Sequence, residues 1–149
     1  MSASRAPTFR SYLLQAALPM LVGGLIYVLF RTPHLLMFQW FESLGIDGPI
    51  AAARVHTMPL AGSLPEWFRF SVPDGSWVWS ATATMALIWH DKGGWGRWFW
   101  ISLGVVIAIG SELIQLYPPM PGVFDPVDLV AYAVAHVAAL ALASRSWSV

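Results

Sequence analysis

At 149 residues, 57% of them hydrophobic and 11% charged, with a mean hydropathy of +0.61, the chain has too few charges for the solvated surface of a soluble domain, where about 25% is usual. Its apolar excess is expected to face lipid within a single membrane domain spanning residues 1–149. Eight Lys plus Arg against eight Asp plus Glu form no basic stripe for phosphate backbones, so nucleic acid is not expected as a partner, and the absence of cysteine excludes disulfides and thiolate chemistry.

The first apolar run, 12–30 (YLLQAALPMLVGGLIYVLF), is longer than the h-region of a signal peptide, and Arg31-Thr32-Pro33-His34 offers no small-x-small cleavage site. It is expected to be a retained transmembrane helix kinked at Pro19, which leaves the carbonyl of Gln15 without its helical donor. Between Arg31 and Asp74 the pattern breaks up. Thr32-Pro33 is an N-cap and first-turn signal ahead of LLMFQWF, with Gly45 as the stop; this stretch is expected to lie as a short helix in the interface plane. Ser63-Leu64-Pro65-Glu66 has capping-box spacing ahead of Trp67-Phe68-Arg69-Phe70, which predicts a second short helix leading into the next span.

The second span, 75–90 (GSWVWSATATMALIWH), is short: at 1.5 Å per residue it covers roughly 24 Å of a hydrocarbon core of about 30 Å. It is expected either to start earlier or to sit shielded by its neighbours, and Ser76, Ser80, Thr82 and Thr84 favour a packed position. The third span, 98–117, and the fourth, 126–143, are long enough to cross. The predicted fold class is therefore all-α: a polytopic membrane protein of four transmembrane helices, with short interfacial helices in the 31–74 segment.

Four spans put the N-terminus, the loop 91–97 and the C-terminus on one side, collecting Arg5, Arg10, Lys92, Arg97 and Arg145. The other side holds Arg31, Arg54 and Arg69 spread over the long segment, and none in the loop 118–125. By the positive-inside rule both termini are expected to be cytoplasmic, in the plasma (inner) membrane. The outer side, with Glu42, Asp47, Glu66, Asp74 and Asp125, is the acidic one. Trp77 and Trp79 at one boundary, and Trp89, Trp95, Trp98, Trp100 and Trp147 at the other, fit two interfacial belts.

An ionisable group within a span is a functional candidate by default, because it costs several kcal/mol unless paired or hydrated. Glu112 is the clearest, and Gln115 shares its face with Gly104, Ala108 and Ser111, which should point into the bundle; the alternative is a Glu112 that simply reaches the headgroups. Asp125, Asp128, Tyr132 and His136 recur three and four residues apart, one polar stripe down the fourth span. Asp125 before Pro126 also reads as an N-cap, Asp128 as a first-turn residue complementing the helix dipole, and Asp74 as an N-cap of the second span. His136 is expected as a neutral imidazole bonded to a neighbouring hydroxyl or to Glu112 and not as a metal ligand. His34, His56 and His90 are isolated near the interfaces. The candidate binding cluster is thus Glu112, Gln115, Asp128, Tyr132, His136 and Asp74, with no metal and no cofactor expected. No nucleophile elbow, phosphate loop, HExxH or CxxC occurs, and no catalytic residue is assigned.

The segment from Ser111 to Ala141 (SELIQLYPPMPGVFDPVDLVAYAVAHVAALA) resembles the VanZ-like family of small bacterial membrane proteins. The shared pattern is Glu112-x-x-Gln115 at a helix end, then Pro121-Gly122, then Asp128 opening the last helix. The resemblance implies a hydrophobic four- or five-helix architecture, in a family whose founding member is associated with glycopeptide-antibiotic resistance. Val123 stands where the family has Arg, Tyr132 where it has Asn, Ala135 where a packing Gly is usual, and Trp77 near the place of a His, so an activity that depends on that Arg or His is not carried over.

Two functions compete. In the first, the cluster converges near the outer leaflet and binds or processes an envelope lipid or amphiphile, an acid and an imidazole doing proton transfer and Arg54 or Arg69 supplying a phosphate contact. In the second, the chain is a non-enzymatic accessory subunit or scaffold whose partners are other membrane proteins, its nine tryptophans and small-residue faces serving packing. A transporter or channel ranks third, because four spans without an inverted repeat make a pore only as an oligomer.

Overall fold

The computed structural model describes residues 6–33 and 35–145. Arg5, His34, Trp147 and the Arg145 side chain lie outside that set. The described residues are helical, with turns and no strand.

Helix α1 (Phe9–Phe30) begins where the Thr8 hydroxyl accepts the amide of Ser11, earlier than the hydropathy run suggested. Pro19 has no N–H to give to Gln15, and the backbone ahead of it widens into a π-helical turn at Leu13–Ala17. The 31–74 segment then folds as a helical hairpin. In α2 (Leu36–Ser43) the N-cap is Leu35 and no side chain caps, so the expected Thr32 cap is not made. Gly45 does stop the helix. At φ +68° it closes a Schellman motif, Ile46 N–H bonding the Phe41 carbonyl and Gly45 N–H that of Glu42. Helix α3 (Asp47–Thr57) was not anticipated from sequence; Asp47 in its first turn and Arg54 and His56 in its last complement the dipole. A 3-10 turn (Met58–Ser63) leads to α4 (Glu66–Arg69), which opens on Pro65 without a side-chain cap. The capping box is a correction: the Ser63 hydroxyl donates backwards to the Leu60 carbonyl at 2.7 Å.

Helix α5 (Ser71–Ile88) starts before the expected Gly75, so Asp74 lies inside its first turn and is not its N-cap. Gly94, at φ +85°, turns the chain into α6 (Trp95–Ile114), and α7 (Pro126–Arg145) completes the fold. Among the described residues, three helical stretches are long and apolar enough to cross a membrane: Phe9–Phe30, Trp95–Ile114 and Pro126–Ser144.

α5 is the central helix. It packs against α1, α6 and α7, about equally against α1 and α7 and less against α6, and buries Ser71, Pro73, Gly75, Val78, Ser80, Thr82, Ala83, Ala86 and Leu87. Small residues permit this. A Cβ on Gly23 of α1 would lie 2.5 Å from the Ser76 Cβ, and one on Gly104 of α6 would lie 3.0 Å from the Ala81 Cβ, so the backbones approach as closely as small-residue interfaces allow. The pairings fix direction. Arg31 meets Asp74 and Gln15 meets Trp79, so α1 is antiparallel to α5; Gly75 meets Ala131 and Thr82 meets His136, so α7 is parallel to it. The core is built in two layers, Val78 with Val105, Tyr132 and Ala135, then Ala86 with Ile101 and Ala143. The end of α1, the start of α5, the end of α6 and the start of α7 meet at one end of the bundle.

Candidate functional site

That end carries the polar side chains. Glu112 is 3% exposed in the last two turns of α6, and its carboxylate is doubly engaged: Oε1 accepts the Asp125 amide at 2.6 Å and Oε2 accepts Gln115 Nε2 at 3.3 Å. A carboxylate against the first residues of α7 also meets the positive end of its dipole. Asp125 is the N-cap, its Oδ1 accepting the Val127 amide at 2.8 Å. Gly122, at φ +118°, lies over the Gln115 side chain, where a Cβ would collide. The loop is thereby pinned from both sides.

Asp74 projects from the first turn of α5 and takes Arg31 as its partner, Nη2 to Oδ2 at 3.2 Å. Arg31 also donates to the Phe70 carbonyl at 3.4 Å, and its guanidinium stands 4.7 Å from the Phe70 ring and 5.2 Å from that of Tyr27. Asp74 lies within electrostatic reach of both Asp128 and Glu112, and all three carboxylates act on Tyr132. Asp128 Oδ1 is shut off from solvent with no hydrogen-bond partner among the described residues. Tyr132, 6% exposed, packs its ring into the upper core layer.

Five of the six expected residues therefore converge: Asp74, Glu112, Gln115, Asp128 and Tyr132. His136 does not join them. At 1.5 Å per residue it lies about 12 Å deeper than Asp128 along α7, where Nδ1 and the Thr82 hydroxyl are 2.9 Å apart; of the two partners expected for it, the hydroxyl is the one it has. The acid–imidazole pair needed for proton transfer with Glu112 is not assembled. Among the described residues no three His, Asp or Glu side chains are grouped to hold a metal ion.

The cation also differs from expectation. Arg54 is buried within the α2–α3 hairpin, donating to the carbonyls of Val28 and Arg31 at the end of α1 and standing 4.9 Å from the Phe38 ring. Arg69 stacks on Phe70 at 5.1 Å. Arg31, read from sequence only as a charge in the outer segment, is the residue that enters the cluster. Its signal was its place just after the first span, where a long side chain can fold back along the helix end.

Grooves flank α5 on more than one side. Between α5 and α6, a groove of about 300 Å³ has Trp77, Val78, Ala81, Ile107 and Ala108 in its walls and also carries Asp74 and Tyr132. Between α1, α5 and α7, a larger one of about 630 Å³ is lined by apolar residues such as Val22, Trp67, Trp79 and Val134, with the hydroxyls of Ser71 and Ser76 its sole polar side groups besides the Trp indoles. The smaller groove is the one that reaches the charged cluster. No protein family matches the chain, and neither does any curated protein or solved structure.

Proposed function

We propose that the chain is a four-span protein of the plasma (inner) membrane, VanZ-like in architecture, that binds an envelope lipid or related amphiphile at the cluster of Asp74, Glu112, Gln115, Asp128 and Tyr132. The observation that carries this reading is the meeting of that cluster with an apolar groove between α5 and α6. Charges set inside an apolar bundle are costly, and a structural ion pair has no need of a groove leading to it. A molecule with a polar head and a hydrocarbon tail matches both parts.

The fourth crossing is α5. Its 18 residues extend about 27 Å, and a helix enclosed by three others can carry Ser and Thr where a lipid-facing helix cannot. Its antiparallel and parallel neighbours run alongside it, as an up-down bundle requires. Arg10, Lys92 and Arg97 support cytoplasmic termini and, with them, a cluster on the outer-leaflet side. The α2–α3 hairpin then lies on the outer surface, with Leu36, Trp40 and Leu44 exposed for the interface.

Reporter fusions at Val149 and near Gly122 should report opposite sides; the same side at both would end the four-span reading. Purification in mild detergent followed by mass spectrometry should find a retained amphiphile that Asp74→Asn releases. A stoichiometric protein partner with no retained amphiphile would replace this reading with that of an accessory subunit.

A further inference from the structure

The hydrogen-bonding capacity left over along the groove differs in kind from what the cluster already uses. Glu112 is satisfied at both oxygens and Gln115 is committed to it. The Arg31 guanidinium is held through Nη2 by Asp74 and the Phe70 carbonyl and flanked by two aromatic rings; its buried Nε has no partner among the described residues, but Arg31 is not among the residues lining the groove. An anionic head entering there would meet no cation in the groove's lining and would come up against Asp74, on which Asp128 and Glu112 also act. What the groove's lining leaves open is accepting capacity: the second oxygen of Asp74, and the Tyr132 hydroxyl, which no described residue hydrogen-bonds although Tyr132 is nine-tenths buried and lines the groove. Asp128, one turn before Tyr132, adds negative potential from behind.

We infer that the groove between α5 and α6 seats an amphiphile whose head is a primary ammonium, the ammonium donating to the Asp74 carboxylate and the Tyr132 hydroxyl, and the alkyl chain lying along Val78, Ala81, Ile107 and Ala108. The inference rests on the amphiphile-binding reading and narrows it to one head chemistry. An ammonium brings donors to acceptors and positive charge to a surplus of negative, which a phosphate cannot do. The groove ends near the level where Gly104 meets Ala81, so the chain continues from there into the bilayer.

The full chain, held in a neutral maltoside detergent, is titrated with dodecylamine, dodecyl phosphate and propylamine and read by native mass spectrometry. Expected is one dodecylamine adduct, retained at least tenfold more tightly than dodecyl phosphate, with propylamine not retained. Tyr132→Phe, which keeps the ring in its core layer, should weaken dodecylamine about tenfold, the scale of one hydrogen bond to a charged group, and leave the melting temperature unchanged. Asp74→Asn should abolish the adduct; where that variant fails to accumulate, Tyr132→Phe decides. Dodecyl phosphate held as tightly as dodecylamine, with either weakened by Tyr132→Phe, would overturn the ammonium head and leave the amphiphile site standing. Propylamine held as tightly as dodecylamine, or dodecylamine binding indifferent to Tyr132→Phe, would also overturn the inference. If neither amphiphile is retained, the inference and the reading beneath it both fall.

Discussion

The indole Nε1–H of Trp79 on α5 donates to the carbonyl of Gln15 on α1 at 3.0 Å. Pro19, four residues on from Gln15, cannot supply that donor, and in a hydrocarbon setting an unpaired carbonyl costs free energy that water cannot return. The bond answers the defect created by the proline and ties α1, at its π-helical turn, to the centre of the bundle. Trp79→Phe keeps most of the aromatic packing and removes the donor. It should destabilise the folded state by about 1 to 2 kcal/mol, read by thermal or denaturant unfolding in detergent; Pro19→Ala restores the helical donor and should relieve most of that loss in the double variant. Equal costs for Trp79→Phe with and without Pro19 would mean that the indole acts by packing alone.

Gly23 and Gly24 are adjacent and differ in what they face. A Cβ at Gly23 would meet Ser76 at 2.5 Å, whereas nothing lies within 4 Å of one at Gly24. Gly23→Ala should force α1 and α5 apart and cost about 1 to 3 kcal/mol, as overpacking does. Gly24→Ala should be neutral or slightly stabilising, because alanine is the better helix former. The pair shares composition, depth and sequence context, so the difference between the two unfolding midpoints isolates the contact with Ser76.

Much of this bundle was legible in the chain because its signals are periodic and local. The apolar runs located α1, α6 and α7 to within a few residues, Gly45 marked the end of α2, and the spacing of Asp128 and Tyr132 put them on one inward face. The unread parts depend on partners distant in sequence. α3 carries no apolar stripe; it is defined by Arg54 and Thr57 reaching the carbonyls at the end of α1. Asp74 resembled an N-cap until Arg31, 43 residues away, supplied its partner. His136 fell on the right stripe but at the wrong depth, since a face is read from periodicity and the level at which neighbouring helices meet is not.

Arg54 is the clasp between the α2–α3 hairpin and the bundle of long helices. Its guanidinium donates to the carbonyls of Val28 and Arg31, two of the groups that the end of any helix leaves unpaired. Arg54→Met preserves volume and removes the donors and the charge. It should cost about 2 to 3 kcal/mol, the range for charged hydrogen bonds, with the loss concentrated locally: α2 and α3 should exchange amide hydrogens faster while α5 and α7 keep their protection. Uniformly faster exchange would make Arg54 a residue of the whole fold. Because Arg31 is anchored through its own carbonyl to Arg54, the same variant should also loosen the Arg31–Asp74 pair and weaken any amphiphile bound beside it.

Glu112 separates the structural from the functional role of the cluster most directly. Its two oxygens accept from the Asp125 amide and from Gln115, and at 3% exposure it has no water to fall back on. In Glu112→Gln the amide oxygen can keep the Asp125 bond, and the new NH2 can face the Gln115 oxygen once that side chain flips its amide, so both bonds survive. This variant should accumulate normally and melt within about 1 kcal/mol of the parent. Glu112→Ala strands the Asp125 amide and the Gln115 head in the interior and should lose about 2 to 4 kcal/mol or fail to accumulate. Dodecylamine binding divides the roles. Because one of three carboxylates near the ligand is lost, Glu112→Gln should weaken the amine severalfold while leaving the fold intact, through potential and not through contact. Unchanged amine binding in a well-folded Glu112→Gln would confine Glu112 to pinning the loop that starts α7, and an unstable Glu112→Gln would show that its ionised form is required for the fold itself.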